Sequence, residues 1–138
     1  MIQYTVNIIL FISSISLFFS TVAFASSPDS ILIGLNVSLT GSRQASGENT
    51  LRGAELLKDE INKQGGIQIG NKKLPIEFLI IDNQSKLEPG VKAALNLISK
   101  KRVLAFIGPN SSSRAIPIGG IAQSFKAPMV SPASTNPK

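Results

Sequence analysis

This sequence has no cysteine, no histidine and no tryptophan, and its aromatic residues are seven phenylalanines and one tyrosine. The missing cysteine rules out a disulfide, thiol catalysis and any lipid anchor that needs a Cys at its cleavage site. The missing histidine removes imidazole-driven acid–base catalysis and, with cysteine gone as well, most zinc sites. Acidic residues are scarce too: eight Asp and Glu stand against 14 Lys and Arg, a net charge of +6. Such a surplus raises the question of nucleic acid. The basic residues come in ones and twos or as the short run Lys100, Lys101 and Arg102, with few aromatics between them. A solvated basic surface is the better reading, and no nucleic-acid partner is expected. At 138 residues the chain can build one modest core, so one domain is its ceiling.

Charge is missing altogether from residues 1–25, where "NIILFISSISLFFSTVAFA" is apolar apart from serines, one threonine and one asparagine. The stretch reads as a targeting segment outside the fold. Ala23 and Ala25 place small residues at the two positions a signal peptidase reads, which predicts cleavage before Ser26 and a periplasmic product. The alternative is an uncleaved anchor, because residues 8–25 are about long enough to span a bilayer. The chain thus divides into a signal peptide, 1–25, and one exported unit, 26–138.

The exported unit alternates two kinds of pattern. "ILIGLNVSL" is short, Leu-rich and β-branched, as a buried strand is. "GENTLRGAELLKDEINKQGG" then sets Leu51, Ala54, Leu57 and Ile61 on one helical face and ends in Gly65 and Gly66, a helix stop. Gly70 and Asn71 suit a tight turn, and Pro75 marks the start or the edge of a second strand near residues 76–81. Val91, Ala94, Leu95 and Ile98 make a second helical stripe, "VLAFIG" a third strand, Ile118, Ile121, Ala122 and Phe125 a third stripe, and "PMVSP" a fourth strand. Continuous apolar strands between amphipathic helices predict an α/β fold, a parallel sheet with helices on both faces.

In such sheets a ligand binds beyond the carboxyl ends of the strands. The loops there are "SLTGSRQASG", "DNQSKLEPG", "GPNSSSR" and "SPASTNP", rich in hydroxyls and amides and nearly devoid of ionisable catalysts. A serine nucleophile would lack its histidine, and no G-x-S-x-G elbow is present. Neither phosphate-loop signature appears, and Asp82 and Glu88 are the only acids in these loops, Asp82 being suited to ordering its own turn. No enzymatic activity, metal or cofactor is expected. What remains is recognition of an anion where the three serines open a helix, with simple capping by Ser111 or Ser112 as the alternative. "SPAST" favours recognition: Thr135 offers a hydroxyl that serves either charge of a zwitterion, and Ala133 a carbonyl for an ammonium group.

Taken together, "IGLNVSLTGSRQASGENTLRGAELLKDEINKQGG", "IIDNQS", "FIGPNSSS" and "VSPASTNP", in this order and spacing, closely resemble the start of the periplasmic solute-binding proteins of branched-chain amino acid ABC transporters. The resemblance covers nearly all of residues 31–137. It implies a type I periplasmic-binding-protein fold, of which this chain is the first part of lobe one only. It also implies a small-molecule ligand, an amino acid or similar, in a cleft between two lobes, and a membrane permease as partner. By position it places a ligand α-carboxylate at Ser112, an ammonium at the Ala133 carbonyl, and Thr135 on either group. Ser46 stands before Gly47 where branched-chain binders often carry an aromatic, and a serine cannot supply that apolar wall. Aliphatic amides, urea and other small solutes are served by the same family, and sensor receptors reuse its fold, so the alternative function is the extracytoplasmic ligand-sensor domain of a signalling receptor. Three charge-assisted hydrogen bonds, about 1.5–3 kcal/mol each, hardly exceed the roughly 4–15 kcal/mol cost of association. This chain by itself is therefore expected to bind ligand no tighter than about millimolar.

Overall fold

The computed structural model describes residues 30–136. The signal segment and its cleavage point lie outside the described residues. Ten segments follow one another: strand β1 (Ile31–Val37), helix α1 (Gln44–Lys63), strands β2 (Ile67–Ile69), β3 (Lys72–Leu74) and β4 (Ile76–Asp82), helix α2 (Leu87–Leu95) running into a π-helical turn (Asn96–Lys100), strand β5 (Ala105–Ile107), helix α3 (Ser112–Ser124) and strand β6 (Met129–Val130). β4, β1, β5 and β6 form one parallel sheet in that order. β2 and β3 form a separate antiparallel hairpin turning at Gly70 and Asn71, and β4 begins directly after Pro75 at an edge of the main sheet.

Helices cover both faces, unequally. On one face α2, its π-helical turn and α3 enclose the core of Ala94, Leu97, Val103, Phe106, Ile118 and Ala122. The stripe anticipated from sequence on α2 is shifted here. Leu97, inside the π-helical turn, is fully buried, while Leu95, the last residue before that turn, is 38% exposed. Phe125, at the end of the α3 stripe, also turns outward beyond the helix terminus. On the other face α1 is the single covering helix among the described residues. Leu51, Ala54 and Ile61 are half-buried, but Leu57 is 58% exposed and lines an open apolar groove with Ile33, Phe78, Ala105 and Val130. One helix is too narrow to cover four strands, so part of its apolar stripe faces solvent.

All four main strands run the same way, so the loops after β1, β4, β5 and β6 gather at one rim of the sheet. No helix among the described residues is long and apolar enough to cross a membrane.

Candidate ligand-binding site

The rim is built on a buried polar network that the apolar strands carry into the interior. Asn36, Ser38 and Asn83 are each fully buried. The Asn83 side chain donates to Asn36 Oδ1 at 3.0 Å and to the Asn36 carbonyl at 3.2 Å, and accepts from the Ser38 hydroxyl at 2.7 Å and the Ser85 amide at 3.1 Å. Asn36 in turn donates to the Gly90 carbonyl at the start of α2. Each group is satisfied, so the network locks the ends of β1 and β4 together without the penalty of stranded polar atoms.

Asp82 holds the same two loops from outside. Its carboxylate accepts from the amides of Leu39 and Gln84 at 2.8 Å each, from the Thr40 amide at 3.3 Å and from the Thr40 hydroxyl at 2.6 Å. Burial works to raise its pKa, but the hydrogen bonds from Thr40, Gln84 and Leu39 outweigh this and hold the carboxyl below its ordinary value. Asp82 is therefore a structural acceptor that orders its turn. Gln84 and Ser85, both at φ near +55° (54° and 56°), complete that turn.

Beyond β5 the chain passes Gly108, at φ +99°, where an added Cβ would lie 2.1 Å from the Asn36 carbonyl oxygen. Only glycine fits there, and the close approach delivers Asn110 and the serines to the rim. The Asn110 amide group donates to the Ser46 carbonyl and hydroxyl at 3.1 Å each and to the Thr50 hydroxyl at 2.6 Å. Ser46 thus has a partner already, and the wall it forms with Asn110 and Thr50 is polar.

The three serines divide their tasks. Ser111 precedes α3 without a side-chain cap, and its hydroxyl pairs with that of Ser113 at 3.0 Å. Ser112 Oγ accepts the amide hydrogens of Thr135 and Asn136, both at 3.2 Å, so it fastens the β6 loop to the N-terminus of α3. Ser131 adds a second tie from that loop to the Pro109 carbonyl. Of the four residues singled out from sequence, the fold brings Ser112 and Thr135 together, leaves Ala133 exposed on the same short loop, and sets Ser46 against Asn110 on the α1 side.

Arg114 was not anticipated. It lies in the first turn of α3, only 7% exposed, with Nη1 donating to the Ser85 carbonyl at 3.0 Å and with Nε and Nη2 buried without a partner. Burial, and then the neighbouring Arg43, push its pKa below the ordinary arginine value. The signals for the missed residues were polar side chains inside apolar or small-residue runs: Asn36 in "ILIGLNV" and Arg114 in "SSSRAIPIGG".

A family model described as periplasmic binding protein matches residues 30–138. This chain belongs to the periplasmic binding protein family. It is 36% identical to the Leu/Ile/Val-binding protein BraC3 of Rhizobium johnstonii over 107 residues, 78% of this chain and 28% of that protein. Among solved structures it is similar to the branched-chain amino acid transporter substrate-binding protein LivJ of Streptococcus pneumoniae, determined with isoleucine. The TM-score is 0.72 at 33% identity, over 78% of this chain and 30% of that one. A substrate-binding protein of an ABC transporter from Desulfitobacterium hafniense, determined with leucine, gives a TM-score of 0.64 at 29% identity over the same shares, 78% and 30%. The binding-protein chain thus spans less than a third of the length of these relatives, and its fold is the first part of lobe one of the type I architecture. The relatives are named for the solutes they bind or for the transporters they serve.

Proposed function

We propose that this chain supplies the first-lobe half of a ligand site in an exported solute-binding component of an ABC transporter, serving amino acids or related small polar solutes. The observation that carries this reading is the state of Ser112. Two backbone N–H groups fill the acceptor capacity of its hydroxyl, so its O–H is left to donate outward at the N-terminus of α3. The leading amides of a helix have no partner within it, and the dipole there favours negative charge. Together they suit a carboxylate. The exposed Ala133 carbonyl suits the ammonium group of the same ligand, and Thr135 serves either. Ser46 contributes a polar wall. The ligand would lie in a cleft between this lobe and a second, the complex would be read by a membrane permease, and residues 1–25 would be removed on export.

Titration of the ¹⁵N-labelled chain with α-amino acids tests the reading. Amides of Ser112 and Thr135 are expected to shift with a dissociation constant near millimolar, and decarboxylated amines to leave them unmoved. Ser112→Ala should weaken binding about tenfold, the loss of one hydrogen bond to a charged group. Shifts confined to other parts of the molecule, or equal binding of amine and amino acid, would refute it.

A further inference from the structure

The rim holds a second concentration of positive charge, and nothing among the described residues neutralises it. Arg114 sits in the first turn of α3 and Arg43 immediately precedes α1, and neither helix has an acidic residue in its first turn. Both cations therefore stand at the positive end of a helix, the reverse of what the dipole favours. Ser85 touches both residues: its carbonyl receives Arg114 Nη1, and its hydroxyl oxygen accepts the Arg43 backbone N–H at 3.0 Å. The acids that could have answered are engaged elsewhere. Asp82 is surrounded by four hydrogen-bond donors, Glu48 faces Gln44 and Arg52, and Glu88 pairs with Lys92. A guanidinium more than nine-tenths buried, with two of its three nitrogens unpartnered, is a costly arrangement that one anion would relieve. On the α1 side the crevice wall of Ser46, Asn110 and Thr50 is polar and gives a hydrocarbon side chain little to pack against.

We infer that Arg114 and Arg43, both bonded to Ser85, form a subsite for a second carboxylate, so that the ligand is dicarboxylic, such as an acidic amino acid. This rests on the ligand-binding reading above and adds the class of side chain. The planar fork of Arg114 matches a carboxylate in charge and shape, and Arg43, anchored to the same Ser85 through its backbone, adds a second positive charge.

The test is a titration of the labelled chain with L-glutamate, L-glutamine and L-leucine, following the Ser112 and Thr135 amides and the Arg114 side-chain Nε–H. All three ligands are expected to move the amides, but only glutamate to move the Arg114 resonance, with glutamate binding at least about tenfold tighter than glutamine. Arg43→Gln, at an exposed position, should cut that preference severalfold while the spectrum stays folded, and Arg114→Gln should abolish it. Equal binding of glutamate and glutamine, or a preference that survives Arg43→Gln, overturns the subsite and leaves Ser112 in its role. Silence of the Ser112 and Thr135 amides with every ligand overturns the ligand-binding reading, and the subsite falls with it.

Discussion

Replacing Asn83 with leucine, which has nearly the same shape and no polar atoms, probes what holds the binding rim in place. The substitution deletes four hydrogen bonds at once, two donated to Asn36 and two accepted from Ser38 and Ser85. Asn36 keeps its bond to Gly90, but its Oδ1, the Ser38 hydroxyl and the Ser85 amide lose their partners, and Asn36 and Ser38 are fully buried. Each stranded buried group costs about 1–3 kcal/mol, and the new apolar contacts recover part of the sum, so a net loss of about 3–5 kcal/mol is expected. For a domain whose whole stability is about 5–15 kcal/mol, that is a fifth or more. Urea unfolding followed by circular dichroism measures it, as a lower midpoint at unchanged slope. Asn83→Asp refines the test. It keeps both acceptor bonds but turns a carboxylate toward Asn36 Oδ1, so its deficit should be large at neutral pH and shrink as acid protonates the new side chain. A loss under about 1 kcal/mol for Asn83→Leu would show that the network does not hold the β1 and β4 loops, and would undo the account of how Ser85 is placed.

Two further outcomes follow from the same loops. Gly47→Ala should destabilise the chain by about 2 kcal/mol or more despite alanine's better helix propensity of about 1 kcal/mol, because the added Cβ falls 1.9 Å from the Ser38 carbonyl oxygen, which is backbone and cannot swing aside; a stabilised variant in the same urea assay would contradict this. Asp82 is held below its ordinary pKa in the folded state, so its contribution is fully present above the unfolded value, near pH 4, and is lost as pH falls through the lower folded value. Asp82→Asn should therefore lose stability at pH 7 and show a shallower decline below about pH 4, and parallel acid limbs for the two proteins would contradict it.

What the sequence determined by itself was the alternation of elements. A strand covered on both faces has to be apolar throughout, and a helix resting on a sheet has to carry a stripe at its own period; "ILIGLNV" and the Ile118 and Ala122 stripe state those demands locally. The stop at Gly65 and Gly66, both at φ above +90°, and the turn at Gly70 were legible for the same reason, since the conformation is carried by the residue itself. The helix-opening serines and Thr135 stood out by their hydroxyls in the rim loops, the resemblance of motifs narrowed the serines to Ser112, and the fold joined Ser112 to Thr135 directly by a hydrogen bond. Strand order, the outward turn of Leu57 and Leu95, and the burial of Asn36, Asn83 and Arg114 were decided only in three dimensions. Periodicity says that a segment has an apolar face but not what covers it, and a polar side chain inside a strand reveals nothing of its partner. The partners here lie far away along the chain: Asn83 for Ser38, 45 residues on, Gly90 for Asn36, 54 residues on, and Ser85 for Arg114, 29 residues back. Only the parallel packing of β4 against β1 and the gathering of every loop at one rim bring such groups within bonding distance. The same packing leaves the buried guanidinium of Arg114 without an anion among the described residues.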